Sequence, residues 1–216
     1  MLRNNISSLT RIFNHFRCYK QLFWTQGSFV HSTGWLESII RGYPCTKKGY
    51  TIPWMNYSVI HLLKTRLNRS LRLFEYGSGY STLFYARLVQ HVTSIEYDRE
   101  WFDLLQAKIP TNTDLYFQEY IPGGEYSKFI LSMPHKYDVL VVDGRDRVNC
   151  IYNGLDQLTE VGVVILDDSQ RPRYLEALEY LKQKNFKLID IIGIKPGSSA
   201  VCQTTIAYRD NNCFGF

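Results

Sequence analysis

Short apolar runs alternate with helical patterns along most of the chain, from residue 71 to residue 209. Continuous apolar strands joined by helices are typical of a parallel sheet that is covered by helices on both faces. The pattern therefore predicts an α/β fold. The predicted strands are 71–76, 92–97, 114–118, 137–143, 161–167, 186–192 and 204–209, with helices over 81–90 and 99–108 between the first three.

The residues before this pattern carry most of the positive charge. Residues 1–72 contain eleven Lys and Arg but one acid, Glu37, a formal charge of +10. Residues 73–216 contain fourteen basic and nineteen acidic residues, a formal charge of −5. A basic half either attracts anionic partners such as nucleic acid or lipid headgroups, or acts as a solubilising arm. We therefore predict a basic helical extension over residues 1–70.

The first helical segment is amphipathic and lies in a stretch of 36 residues without an acid. Leu9, Ile12, Phe13 and Phe16 recur at helical spacing beside basic residues. Such a segment either packs on the core, lies on a membrane surface or acts as an organellar presequence. A second helix is predicted after Thr51, which is a suitable N-cap residue.

Composition narrows the class of protein. The chain has 216 residues, of which 45% are hydrophobic and 21% charged, values that are typical of globular proteins. No apolar run approaches the roughly 20 residues of a transmembrane helix. The five cysteines are scattered without a C-x-x-C pair, which disfavours a disulfide framework or a thiolate zinc site. We expect a cytoplasmic protein, with peripheral membrane contact left open.

A glycine-containing loop follows the first predicted strand, in the sequence Glu75-Tyr76-Gly77-Ser78-Gly79. Two glycines one residue apart permit a tight turn and a close approach of a ligand to the backbone. A dinucleotide site would have a third glycine where this chain has Thr82. Glu96 ends the next strand, about where an acid that binds ribose belongs. An ordinary strand-to-helix turn is the alternative reading of the glycine pair.

These motifs resemble the cofactor motifs of class I S-adenosylmethionine-dependent methyltransferases. The resemblance covers about residues 71–210 and implies a methyltransferase-like catalytic domain over 71–216. In that family the first acid faces the methionine amino group, the loop passes under the methionine, the second acid binds the ribose, and its neighbour flanks adenine. The cofactor-binding residues implied here are Glu75, Tyr76, Gly77, Ser78, Gly79, Ser81, Thr82, Glu96 and Tyr97.

The resemblance also specifies the fold. It implies a Rossmann-like, doubly wound, seven-stranded sheet in a three-layer α/β/α arrangement. The last strand of that sheet is antiparallel, which fits the final strand pair after Lys195-Pro196-Gly197.

Three aspartates follow two of the predicted strands. Asp143 ends one strand, and Asp167 and Asp168 end another. Crowded carboxylates need a cation, a raised pKa or good donors. The layout is similar to the metal site of catechol-type O-methyltransferases, which implies Mg²⁺ or Ca²⁺ on all three aspartates and catalytic roles for Asp143 and Asp168.

The likeness to the catechol enzymes is incomplete, and a reading without a metal is open. The stretch Gly144-Arg145-Asp146-Arg147 has no Lys where those enzymes place a catalytic one. The alternative to a metal is that Asp167 or Asp168 caps the next helix and pairs with Arg171 or Arg173.

The acceptor prediction depends on aromatic and basic residues near the same strand ends. Trp54, Tyr57, Arg145 and Arg171 are the candidate substrate-binding residues. The stretch Ile52–Tyr57 also resembles small methyltransferase-like proteins found with sugar or cell-surface biosynthesis genes. We therefore expect O-methylation of a small-molecule or sugar-type acceptor, with metal assistance left open.

Two other functions compete with this expectation. A nucleic-acid methyltransferase would use the basic N-terminal part, but the chain has no N-P-P-Y-like tetrapeptide after the fourth strand. A non-catalytic module would bind the cofactor without turnover. No sequence feature predicts an oligomeric state.

Overall fold

The computed structural model describes the backbone of residues 8–216 and the side chains from residue 11 onward. Predictions that fall on residues 1–7, or on the Leu9 side chain, lie outside this part. The described helices are α1 (Ser8–Phe23), α2 (Phe29–Ser32), α3 (Trp35–Arg41), α4 (Tyr57–Arg66), α5 (Tyr80–Ala86), α6 (Arg99–Gln106), α7 (Glu125–Lys128), α8 (Arg147–Gly154) and α9 (Leu175–Gln183). The strands are β1 (Arg72–Tyr76), β2 (His91–Glu96), β3 (Thr113–Phe117), β4 (Tyr137–Val142), β5 (Leu158–Asp167), β6 (Lys187–Ile194) and β7 (Val201–Tyr208).

The seven strands form one sheet in the order β3-β2-β1-β4-β5-β7-β6. Strands β1 to β5 are parallel, and β7 is antiparallel to both of its neighbours. The predicted Rossmann-like, doubly wound sheet with an antiparallel last strand is therefore confirmed. The chain winds outward from β1 in both directions, so a crevice lies at the carboxyl ends of β1 and β4, where such folds bind ligands.

Two hydrophobic cores cover the two faces of the sheet, because successive strand residues point to opposite sides. Leu73, Val139 and Val141 face a core formed with α4 and α5. Phe74 and Leu140, one residue away in each strand, face a core formed with α8 and α9. This arrangement is the predicted three-layer α/β/α architecture.

Helix α4 belongs to the first of these cores although it precedes the predicted boundary at residue 70. Its residues Val59 and Leu63 are fully buried there. The prediction that Thr51 caps this helix is wrong. The N-cap is Asn56, whose Oδ1 accepts from the Val59 N–H at 3.0 Å and whose Nδ2 donates to the Ile191 carbonyl at 3.0 Å. Asn56 therefore joins the start of α4 to β6.

Helix α1 lies outside both cores. Ile12, Phe13 and Phe16 are 67%, 62% and 54% exposed. Of the three roles that the sequence left open for this segment, packing on the core is thus not observed for these residues. Within residues 8–216, no helix is long and apolar enough to span a bilayer.

Candidate functional site

A pocket of about 660 Å³ opens at the carboxyl ends of β1, β2 and β4. Its volume is in the range of small-molecule and cofactor sites. The lining residues come from the loops that follow these strands, with contributions from the segments before α4 and α9. They are Pro44, Trp54, Gly77, Ser78, Gly79, Tyr80, Ser81, Glu96, Tyr97, Asp98, Trp101, Tyr120, Asp143, Gly144, Arg145, Asp146, Arg147, Val148, Arg171, Arg173 and Tyr174.

Glu75 lies beneath this pocket and is fully buried. Its carboxylate accepts three hydroxyl hydrogen bonds, from Ser81, from Thr82 at 2.5 Å and from Ser94 at 2.8 Å. Burial raises the pKa of Glu75 to about 7, although the three hydroxyl donors act to lower it. A group with this pKa is partly protonated at neutral pH, and its charge depends on what binds above it.

Two of these hydroxyls connect Glu75 to the glycine-containing loop through hydrogen bonds. Thr82 Oγ1 accepts from the Gly79 N–H at 2.8 Å while it donates to Glu75. Ser94 Oγ hydrogen-bonds Ser78 Oγ at 2.6 Å while it donates to Glu75. Glu75 and Thr82, which the sequence assigned to the cofactor site, therefore hold the loop in shape from below together with Ser94, which the sequence analysis did not single out.

Glu96 holds the same loop from the side. Its Oε2 accepts from the Ser78 N–H at 2.9 Å, and its Oε1 accepts from the Tyr97 and Asp98 N–H groups at 2.9 Å each. Burial raises the pKa of Glu96 above its ordinary value, and the three backbone donors offset only part of this effect. A carboxylate has about four acceptor positions, so one remains, on Oε2 at the pocket wall.

The two glycines of the loop differ in what surrounds them. Gly77 has a φ of +92°, and a Cβ there would lie 2.6 Å from the Gly144 Cα. Its close approach is thus to the protein backbone after β4, not to a ligand. Gly79 is extended, and the nearest atom to a Cβ there is Trp101 Nε1 at 3.8 Å. Because the described chain leaves room at Gly79, only a ligand in the pocket would require a glycine.

Asp143 lies in the pocket wall beside the buried Arg147. Arg147 Nη2 donates to Asp143 Oδ1 at 2.8 Å, and the same guanidinium donates to the backbone carbonyls of Asp143, Gly144 and Asp167. Arg147 therefore ties the end of β4 to the end of β5. Burial, and then repulsion from Asp167, raise the pKa of Asp143 to about 7 despite the nearby cations.

Asp167 and Asp168 are neutralised by side chains of the protein. Lys195 Nζ lies 2.6 Å from Asp167 Oδ2 and 2.8 Å from Asp168 Oδ1. Thr204 donates to Asp167 Oδ1 at 2.6 Å, and Arg171 pairs with Asp168 Oδ2. Each of the four carboxylate oxygens therefore has a donor within the protein.

The predicted metal site does not fit this arrangement. Lys195 lies where a cation shared by Asp167 and Asp168 would have to bind, and neither aspartate lines the pocket. In residues 8–216, no group of three His, Cys, Asp or Glu side chains is placed to hold a metal ion. The likeness to the catechol-type cluster is thus not confirmed. Of the alternatives to a metal, the Asp168–Arg171 ion pair is present, whereas Arg173 lies over the Tyr174 ring at 4.9 Å.

The pKa values of this cluster follow from its pairing. Burial opposes the charged form of Asp168, but Lys195, Arg171 and Arg147 outweigh it, so the pKa of Asp168 is lowered. Burial likewise opposes the charge on Lys195, but Asp167, Asp143 and Asp168 raise its pKa overall. Asp168, predicted as catalytic, is therefore held as an anion away from the pocket and is a poor proton acceptor.

The other predicted site residues divide between the pocket and the structure behind it. Gly77, Ser78, Gly79, Ser81, Glu96 and Tyr97 line the pocket, as do Trp54, Arg145 and Arg171. Tyr76 is buried in the second core and donates to the Ser127 carbonyl at 2.7 Å. Tyr57 packs against Phe29 rather than lining the pocket.

Sequence reasoning missed several pocket residues. Trp101 lies in the first turn of α6, and its Nε1 donates to the Ser78 carbonyl at 2.9 Å. Tyr120 lies in the loop after β3, and Tyr174 lies against Arg147, 5.3 Å from the guanidinium to the ring centre. Lys195 had a weaker signal, because it lies in the predicted loop shortly after strand 186–192, but its partners depend on the strand order.

Solved structures with this fold include several methyltransferases. A precorrin-6y C5,15-methyltransferase from Geobacter metallireducens has a TM-score of 0.56 at 16% identity, with 70% of this chain and 86% of that chain covered. A tRNA (m1A58) methyltransferase from Aquifex aeolicus has a TM-score of 0.54 at 17% identity, with 80% and 75% covered. A SAM-dependent O-methyltransferase from Thermotoga maritima has a TM-score of 0.53 at 16% identity, with 70% and 64% covered.

These likenesses establish the fold and nothing finer, since the identities are 16% to 17%. No protein-family model matches the sequence, and no curated protein matches it.

The first prediction compares the two loop glycines. Gly77→Ala forces a side chain into a positive φ and against the Gly144 backbone, so we expect a loss of about 2–5 kcal/mol of unfolding free energy. Gly79→Ala, which has room and an extended backbone, should change it by less than about 1 kcal/mol. Urea unfolding of both variants measures the difference. Equal losses would show that Gly79 also serves the fold.

The second prediction concerns Lys195. Lys195→Met leaves Asp167 and Asp168 buried without their shared cation, so we expect a loss of about 3–5 kcal/mol of stability by thermal or urea unfolding. Lys187→Met is the matched control, because Lys187 pairs with Asp210 at an exposed position and should leave the melting temperature unchanged. An unaffected Lys195→Met protein would contradict the assignment of Lys195 as the neutralising cation.

Proposed function

We propose that this protein is an S-adenosylmethionine-dependent methyltransferase that methylates an oxygen of a small-molecule or sugar-type acceptor. The observation that carries the proposal is the loop Gly77–Gly79, which faces the pocket with one buried acid beneath it and another beside it. The same loop is open to a ligand at Gly79, where no protein atom requires a glycine. Solved methyltransferases share the fold.

The pocket residues fit the parts of this cofactor. Glu96 has one acceptor position left for a ribose hydroxyl. The three hydrogen bonds from backbone N–H groups hold its carboxylate in a fixed orientation. Tyr97 and Tyr120 offer aromatic surfaces for adenine, with ring centres 6.2 Å apart. Ser81 lines the pocket while it donates to Glu75, so it would connect the methionine amino group of a bound cofactor with the acid below. That cation would favour the ionised form of Glu75, whose pKa is near 7.

Asp143 is the proposed general base. Its Oδ1 is held by Arg147, which leaves Oδ2 to take the proton of the acceptor hydroxyl. A base with a pKa of about 7 is suited to this task at neutral pH. The cofactor supplies a methyl group on a sulfonium sulfur when it is bound. No metal is part of this proposal, because Lys195 and Arg171 already neutralise the neighbouring aspartates.

The acceptor side of the pocket is aromatic and cationic. Trp54 forms one wall, with its Nε1 donating to the Pro196 carbonyl at 3.0 Å. Within residues 8–216, Arg145 and Arg173 contact aromatic rings but have no carboxylate within ion-pair distance. Arginine binds carboxylate and phosphate groups through paired hydrogen bonds. An acceptor that carries an anionic group beside its hydroxyl fits this wall best.

A nucleic-acid acceptor is the second candidate. The +10 charge of residues 1–72 favours it, and a tRNA methyltransferase is among the proteins with the same fold. Turnover with RNA, and not with small hydroxyl compounds, would select this candidate over the first.

The third prediction tests the cofactor. Calorimetry should show binding of S-adenosylhomocysteine in the micromolar range, about −8 kcal/mol. Gly79→Val adds a branched side chain at the pocket wall, so we expect at least a tenfold loss of affinity, about 1.4 kcal/mol, in a protein that still unfolds cooperatively. Gly79→Ala is the graded control and should lose less. Binding of NADH, or a Gly79→Val protein with full affinity, would contradict the assigned site.

The fourth prediction concerns pH and metal. A base must be ionised, so kcat/KM should rise with pH through about 7, the pKa of Asp143. Asp143→Asn keeps the hydrogen bond to Arg147 but should reduce the rate by about 10²–10⁴-fold. Release of S-adenosylhomocysteine with a panel of phenols, sugars and sugar phosphates measures both, and EDTA should leave the rate unchanged.

Three outcomes of this assay would contradict parts of the proposal. Full activity of Asp143→Asn would remove Asp143 as the base. Loss of turnover on chelation would show that the reaction requires a metal ion. Tight cofactor binding without turnover on any acceptor would favour a non-catalytic module.

A further inference from the structure

Helix α1 and the turn after it present a continuous apolar surface that the described chain leaves uncovered. Ile12, Phe13, Phe16, Tyr19 and Trp24 form this α1 surface and are 51% to 67% exposed. Ile12, Phe16 and Tyr19 follow one another at four and three residues, so they share one helix face. Phe16 and Tyr19 each pack edge-on against Trp24, with ring centres 5.9 Å apart. Exposed apolar patches of this kind mark interaction sites.

The helix is attached to the rest of the described chain at its carboxyl end. Ser28 Oγ donates to the Leu22 carbonyl at 2.8 Å, and Phe23 meets Trp35 with ring centres 6.4 Å apart. Trp35 in turn donates from Nε1 to the Ser198 carbonyl at 2.8 Å, which links this end to the loop between β6 and β7. The α1 surface is therefore held beside the folded domain while its apolar side chains stay uncovered by residues 11–216.

The positive charge of α1 indicates which kind of partner binds the α1 surface. Arg11, Arg17 and Lys20 lie on α1, and none has a carboxylate within ion-pair distance in residues 8–216. The first acid of the chain is Glu37, which pairs with Arg41 at 3.0 Å. Like charges would meet if two copies paired through this helix. A bilayer with anionic headgroups instead complements the cations and accepts the aromatic and aliphatic side chains.

We propose that the α1 surface binds the face of an anionic phospholipid membrane, with α1 lying in the plane of the interface. The aromatic side chains and Ile12 enter the boundary between headgroups and acyl chains, while Arg11, Arg17 and Lys20 contact the lipid phosphates. Tyr and Trp suit this depth because their rings are amphipathic. The proposal does not depend on methyl transfer.

The fifth prediction is tested by co-sedimentation of the full-length protein with lipid vesicles. We expect binding to vesicles of mixed phosphatidylglycerol and phosphatidylcholine, and little binding to phosphatidylcholine alone. Replacing Arg11, Arg17 and Lys20 together with Gln should lower the partition coefficient on the order of 100-fold. Lys108, Lys136 and Lys184, which are exposed elsewhere, provide a Gln triple variant with the same charge change, and it should bind as the wild type does.

The double variant Phe13→Gln, Phe16→Gln tests the apolar part of the surface. It should also lose vesicle binding, while its melting temperature and its affinity for S-adenosylhomocysteine stay unchanged, because both side chains lie outside the cores. Absence of binding to the anionic vesicles would overturn the proposal, as would an equal loss in the control triple variant.

Two other occupants give their own signatures. A concentration-dependent dimer that the double variant abolishes, without vesicle binding, would assign the surface to a second copy. RNA binding that the double variant abolishes, again without vesicle binding, would assign it to nucleic acid. Either result would overturn the membrane proposal.

Discussion

Two carboxylates buried at the ends of neighbouring strands hold the pocket of this protein in shape. Removing an acid from water is unfavourable unless its oxygens are hydrogen-bonded, so Glu75 and Glu96 require several donors each. The donors come from the loop Gly77–Gly79 and the residues around it. Ser78 alone is held at three atoms, its N–H by Glu96, its Oγ by Ser94 and its carbonyl by Trp101. The loop is thus organised before any ligand arrives, which lowers the entropy lost on binding.

The second constraint is the balance of charge behind the pocket. Three aspartates lie at the ends of β4 and β5, and the fold supplies Arg147, Arg171 and Lys195 to neutralise them. The balance is uneven, because Asp167 and Asp168 share Lys195 whereas Asp143 has Arg147 and repulsion from Asp167. The two paired aspartates are therefore structural anions. Asp143 alone combines a raised pKa with a place in the pocket wall.

The two main helices of the basic N-terminal part have different places in the structure. Helix α4 is part of the core, and Asn56 fixes its start against β6 and β7 through bonds to Ile191 and Thr204. Helix α1 carries positive charge and apolar side chains that the described part of the chain neither neutralises nor covers. The change in composition near residue 72 therefore marks a change of charge, while the core begins well before it.

The strands, their parallel winding and the loop at the end of β1 are all predictable from local sequence patterns. Strand interiors such as Val139–Val142 are apolar on both faces, and a run of that kind is typical of a strand in a covered parallel sheet. The spacing of Glu75, Gly77, Gly79 and Glu96 likewise placed two acids and a turn at one sheet edge. These signals are local, so they are readable from neighbouring residues.

The roles of the acids, by contrast, depend on which distant strands pack side by side. Strand β7 lies between β5 and β6 and runs antiparallel to both. The strands β5 and β6 therefore run in the same direction and end at the same edge of the sheet. That topology places Lys195, directly after β6, on Asp167 and Asp168, and the register of β7 sets Thr204 opposite Asp167. A site that reads as a metal cluster in the sequence is an ion-pair network in the fold. The partners are 28 and 37 residues away along the chain, and their pairing is set by strand order, which no local pattern encodes.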